Sequence, residues 1–125
     1  MGNNQERGLF LLVAMMEDVE LQAMRLDRSM SWCIQRAWRL SREALLDLAP
    51  ATDHPDAIGA FRARYPLTGP GARMTSRRVT IQFPAEMLAE LEQAAARQDR
   101  SLSWLVQQAW CLATARFGAL PSEVA

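Results

Sequence analysis

The chain contains one sixteen-residue segment twice. Residues 25–40 read RLDRSMSWCIQRAWRL and residues 97–112 read RQDRSLSWLVQQAWCL, so a constant offset of 72 superposes them. Ten of the sixteen positions are then identical: Arg25/Arg97, Asp27/Asp99, Arg28/Arg100, Ser29/Ser101, Ser31/Ser103, Trp32/Trp104, Gln35/Gln107, Ala37/Ala109, Trp38/Trp110 and Leu40/Leu112. Two tryptophans and an Asp-Arg-Ser-x-Ser-Trp run do not recur at one spacing by chance. Each copy of such a repeat is one supersecondary unit with an apolar face that needs a partner. The nearest partner is the other copy.

The second copy is the more regular. Residues 78–83 alternate polar and apolar with β-branched members, which predicts a short half-buried strand with Val79, Ile81 and Phe83 inward and Arg78, Thr80 and Gln82 outward. Pro84 ends that strand and suits the first position of a helix, where its missing N–H costs nothing. Met87, Leu88, Leu91, Ala94 and Ala95 follow at helical spacing. Residues 98–100 break the pattern, and Ser101 is a good N-cap for a second helix. That helix carries Leu102, Leu105, Val106, Ala109, Trp110 and Ala113 on its apolar face and is expected to stop near Phe117, before Gly118 and Pro121. A lone strand leaves its backbone groups unpaired, so this unit must pair its strand with its repeat or with another chain.

The order strand, helix, helix resembles the ribbon-helix-helix superfamily, which includes Arc, the methionine repressor and the CopG-like regulators. The resemblance rests on the strand 78–83, on Pro84, and on the run RSLSWLVQQA from Arg100 to Ala109, which matches the family's R-S-x-S-E-L-I-R-E-A signature except that Trp104 stands where Glu is common. It covers residues 77–117 well and 6–45 more weakly. It implies a mainly α fold with a short antiparallel β-ribbon, here a tandem pseudo-dimer of copies 6–45 and 77–117 sharing one core and joined by a connector, 46–76. It also implies binding to double-stranded DNA, because the major groove admits a two-stranded ribbon whose outer side chains meet base edges. Carried onto this chain, the base-contacting residues are Arg78, Thr80 and Gln82. Arg suits guanine O6/N7 and Gln suits adenine N6/N7. The phosphate anchor, the start of the second helix, falls on Arg100, Ser101 and Ser103 and on Arg28, Ser29 and Ser31 in the first copy.

The first copy departs from the pattern in its strand. The offset places Arg7 at Val79, Leu9 at Ile81, Leu11 at Phe83 and Leu12 at Pro84, and the outward set becomes Glu6, Gly8 and Phe10. Glu repels phosphate, Gly offers no side chain, and Phe does little beyond touching a thymine methyl. Two readings stay open: a pseudo-dimer with one reading strand and one structural strand, or a first copy turned from DNA to a protein partner through Phe10 and its neighbours. The connector, with Pro50, Pro55, Pro66, Pro70, Gly59, Gly69 and Gly71, is a spacer in which residues 57–65 suggest a short helix. A tether of about thirty residues gives a local concentration on the order of millimolar, which favours pairing within the chain. Trp38 and Trp110 fall in the core register. Trp32 and Trp104 either extend the core along the pseudo-dimer seam or lie on a surface.

Composition narrows the function. At 125 residues and 50% apolar, the chain suits one compact domain. Its fourteen Arg and no Lys balance fourteen Asp and Glu, so no bulk charge draws it to nucleic acid or anionic membrane, and any polyanion must be met locally. The apolar run 9–16 is too short to span a membrane and wrongly flanked for a signal peptide, so a cytoplasmic, membrane-free protein is expected. Cys33 and Cys111 read as two reduced buried thiols. A single histidine, His54, excludes a multi-His metal site, and no Gly-rich phosphate loop or nucleophile–base pair suggests an enzyme or a cofactor. The expected function is a DNA-binding transcriptional regulator, monomeric as a pseudo-dimer or a higher oligomer of it. The alternative is the same scaffold used as a protein–protein interaction module.

Overall fold

The computed structural model describes residues 4–46 and 76–119. The short helix expected over 57–65 lies outside the described residues. Strand β1 (Asn4–Leu12) leads directly into helix α1 (Val13–Leu26), followed by α2 (Met30–Leu46); β2 (Ser76–Pro84) leads into α3 (Ala85–Arg97), followed by α4 (Leu102–Ala119). The fold is mainly helical with one two-stranded antiparallel ribbon.

The two strands pair with each other. Asn4 faces Pro84 and Leu12 faces Ser76, which puts Gly8 opposite Thr80 at the centre. The offset of 72 found in the helices makes Gly8 and Thr80 equivalents as well. A pseudo-two-fold axis therefore passes through that pair, and the repeat that was visible in the helices extends into the strands.

Alternation on the pleat decides what the ribbon buries. Leu9, Leu11, Ile81 and Phe83 point into the core and are at most 1% exposed. Beneath them, α2 and α4 make the most extensive helix–helix contact, with Trp38 and Trp110 buried among Leu26, Ile34, Leu45, Leu88, Leu91, Leu105 and Val106. Both halves supply this single core, as their apolar faces required.

The helix pairs turn in the same way in both halves. Asp27 and Asp99 adopt left-handed backbone, φ 55° and 54°, which Asp tolerates better than most side chains. Just beyond them the Arg28 and Arg100 N–H groups donate back to the Ala23 and Ala95 carbonyls at 2.9 Å, closing each first helix with a Schellman-type turn. Two boundaries differ from expectation. Pro84 is the last strand residue and the N-cap of α3, φ −56° and ψ 143°, and not its first helical residue, because its ring-fixed φ suits the extended backbone equally well. Helix α4 runs through Gly118 to Ala119, two residues beyond Phe117, since glycine near a helix end weakens the helix without stopping it.

One polar cluster ties the halves across the core. The Trp38 indole N–H donates to Glu90 Oε1 at 2.8 Å, and Arg42 Nε donates to the same oxygen at 3.0 Å while its terminal nitrogen pairs with Oε2. The Arg42 hydrogen bond holds the Glu90 carboxyl below the usual carboxylate range against the opposing effect of burial, and Trp38 adds to it. A carboxylate whose pKa is lowered on folding stabilises the fold above its unfolded pKa, and that contribution is lost as pH falls through the folded pKa. Urea midpoints should therefore drop as pH falls below about 4.3, the ordinary Glu value, and Glu90→Gln should flatten that part of the profile.

The shared core carries a second expectation. Peptides 1–46 and 76–125 should each be largely unfolded alone, because each leaves its strand and its tryptophan face uncovered. Mixed at equal concentration they should regain helical circular dichroism; a half that is stably folded alone at micromolar concentration would contradict the shared core.

Candidate functional site

The outer face of the ribbon is made by alternate residues of both strands. Glu6, Gly8 and Phe10 on β1 lie opposite Gln82, Thr80 and Arg78 on β2, and all six are exposed. The outward set expected from β2 and the departed set from β1 thus form one surface about the pseudo-two-fold axis. Phe10 is 60% exposed there, far more than a core phenylalanine. Arg78 lies across the strand gap: a Cβ built on Gly8 would stand 2.8 Å from its Cζ and closer still to two of its nitrogens. Gly8, read in sequence as a missing side chain, is the place the guanidinium occupies.

Ser31 and Ser103 bond to the ribbon edges. A two-stranded ribbon leaves one row of N–H and C=O groups unpaired on each strand. The Gln82 N–H donates to Ser31 Oγ at 3.0 Å and the equivalent Phe10 N–H donates to Ser103 Oγ at 2.9 Å, so each half's second helix covers the other half's strand. Gln107 extends the pattern by accepting the Leu12 N–H at 3.0 Å. Its equivalent Gln35 cannot do the same, because Pro84 stands at the position of Leu12 and has no N–H. Gln35 turns its amide and donates to the Gln82 carbonyl at 2.7 Å.

These bonds fix where the helix starts lie. Ser29 and Ser101 are N-caps whose hydroxyls accept the Trp32 and Trp104 N–H groups at 3.0 Å. The N–H groups of Met30 and Ser31, and of Leu102 and Ser103, belong to the first turn, where an α-helix offers no internal partner. Two helix N-termini with their partial positive charge therefore flank the ribbon, one at each edge. Ser31 and Ser103 each retain a hydroxyl hydrogen to donate. Arg28 stacks over Trp32 at 5.4 Å and Arg100 over Trp104 at 4.6 Å, on the same pseudo-symmetric plan. Trp32 and Trp104 are half-buried against the core edge, whereas Trp38 and Trp110 are inside it.

Residues 76–109 match the family described as "CopG-like RHH_1 or ribbon-helix-helix domain". The second half of the chain carries a ribbon-helix-helix domain. The strand–helix–helix order of the first half is consistent with a tandem copy of it. No curated protein and no solved structure matches the chain.

Among the described residues, no three His, Cys, Asp or Glu side chains come together to hold a metal, and no helix is long and apolar enough to cross a membrane. Neither Cys33 nor Cys111 forms a disulfide; Cys111 is half-buried and not buried as expected, while burial pushes the Cys33 thiol up to about 11. Two features of the ribbon were missed in the sequence. Glycine inside a strand pattern marks a close approach, which was the available signal for Gly8. Ser31/Ser103 and Gln35/Gln107 were all among the repeated identities, but their edge-covering role depends on which strand lies beside which helix. Replacing Ser103 by Ala should speed amide hydrogen exchange at Phe10 while leaving exchange at Ile81 unchanged, and should cost about 1 kcal/mol in urea unfolding.

Proposed function

We propose that this protein is a sequence-specific double-stranded DNA-binding regulator in which copies 6–45 and 77–117 act as one unit. The outer face of the ribbon enters the major groove, where Arg78, Thr80 and Gln82 meet base edges. One observation carries the reading: five alternate side chains and Gly8 stand exposed on a two-stranded antiparallel ribbon that two helix N-termini flank through the Ser31 and Ser103 bonds. That spacing suits a groove about 12 Å wide, with base edges at its floor and phosphates at its rims. Ser29, Ser31, Ser101 and Ser103, with Arg28 and Arg100 beside them, approach the phosphates. They position the protein on the duplex and carry no base information.

The zero net charge of the chain makes this a local recognition. Binding to a random duplex should weaken as salt rises, because phosphates neutralised by the protein release their counterions. Replacing Gln82 by Ala should lose roughly 1 to 3 kcal/mol of discrimination at one base position with little change in thermal stability. Ser101→Ala should weaken binding to all sequences alike and also cost about 1 kcal/mol of stability, because its hydroxyl caps α4. Fluorescence anisotropy against matched and mismatched duplexes reads the first two effects and urea unfolding the last. Because Phe10 is exposed, a second reading is a protein contact on the first strand. Absence of duplex binding at low salt, with Phe10→Ala abolishing self-association or capture of a purified partner, would favour it.

A further inference from the structure

Gly8 and Arg78 make the ribbon asymmetric at its centre. Gly8 and Thr80 face each other on the pseudo-two-fold axis, so a symmetric ribbon would carry the same residue in both places. A threonine or even an alanine at Gly8 would meet the Arg78 guanidinium, whose Nε, Cζ and one terminal nitrogen all lie within 2.8 Å of where the Cβ would be. The missing side chain opens a seat on β1 between Glu6 and Phe10, and the arginine of β2 fills it by crossing the strand gap. No equivalent arginine crosses back, because the offset of 72 makes Glu6 the counterpart of Arg78. Arg78 is exposed, and among the described residues it is not part of either ion pair, Arg7–Glu92 or Arg42–Glu90.

We propose that Gly8 is a specificity-determining positioning residue. By seating the Arg78 guanidinium beside the pseudo-two-fold axis, it directs the protein to an asymmetric duplex site with a guanine next to the centre on one side only. The recognition chemistry is the bidentate pairing of a planar guanidinium with guanine O6 and N7, which needs the fork held in place as well as charged. In an ordinary outward rotamer Arg78 would stand over its own strand opposite Phe10 and reach a base pair farther from the axis. This inference rests on the ribbon reading DNA, and it assigns the choice at the near-central base pair within that reading to a residue that touches no base itself.

The test is selection from a random 20-base-pair duplex pool with the wild-type chain, Gly8→Ala, Arg78→Ala and Arg78→Lys, followed by anisotropy on the wild-type consensus and on its copy with the near-central G·C pair changed to A·T. The wild-type chain is expected to select a site without two-fold symmetry and to prefer G·C at that pair by roughly five- to a hundredfold. Gly8→Ala should lose most of that preference, or move it outward by one base pair, while keeping its affinity and salt dependence on random duplex, since no charge is removed. Arg78→Lys leaves Gly8 and the backbone untouched. It should lose the same preference through loss of the fork while keeping the charge, which guards against Gly8→Ala acting on the fold. Gly8→Ala that selects the wild-type consensus with undiminished preference would overturn the role of Gly8 while leaving DNA reading intact. A wild-type chain that enriches no sequence would overturn the DNA reading and this inference together.

Discussion

The fold depends on the antiparallel pairing of two strands that lie 72 residues apart in one chain. A single nine-residue strand has no partner of its own, and a two-stranded ribbon without a packed face is marginal in water. Here each strand supplies half of the apolar floor, Leu9 and Leu11 from one and Ile81 and Phe83 from the other, and the four helices close beneath it. The edges of the ribbon are covered by the second helix of the opposite half through Ser31 and Ser103. Pairing, core and edge cover all cross between the halves, so neither half is a complete structure.

That crossing also creates the exposed surface. Because the serines that cover the ribbon edges sit in the first turn of α2 and α4, the helix N-termini are brought to the flanks of the outer face by the bonds that stabilise the strands. A single arrangement thus sets the apolar floor, the outward side chains and the two positive helix ends. The departures from symmetry are local and have physical causes. Pro84 lacks an N–H, so Gln35 donates to a strand carbonyl where Gln107 accepts a strand N–H. Gly8 lacks a side chain, so Arg78 crosses toward it.

Much of this was legible in the residues. The alternation of Val79, Ile81 and Phe83 against Arg78, Thr80 and Gln82 is a property of the pleat, and the buried and exposed positions of β2 follow it, with Val79 half-buried. The repeated Ser-x-Ser start marked the N-caps, because a hydroxyl at that place has one favoured partner three residues on. The turn at Asp99 was legible only as a break in helical spacing over 98–100, and that at Asp27 only through the repeat, since left-handed backbone at a non-glycine residue has no strong signature. The second serine of each motif could not be assigned from local spacing, because its partner lies on a strand 51 or 93 residues away. Gly8 was misread for a related reason: what fills the space over a glycine is set by its neighbour on the paired strand. Exposure of Leu21 and Met24 on α1, against the helical expectation that apolar residues turn inward, has no account in the packing of the described residues.

If one chain folds on itself to present the ribbon and its two flanking helix starts to a duplex, as we propose, titrating a selected duplex into the uniformly nitrogen-15-labelled full chain should move the amide signals of the ribbon. The largest shifts are expected at residues 6–10 and 78–82 and at the first-turn amides of Met30, Ser31, Leu102 and Ser103, at a stoichiometry of one ribbon per site. Changes concentrated around Leu21 and Met24 on α1, with the ribbon amides unmoved, would show that the duplex meets a different face.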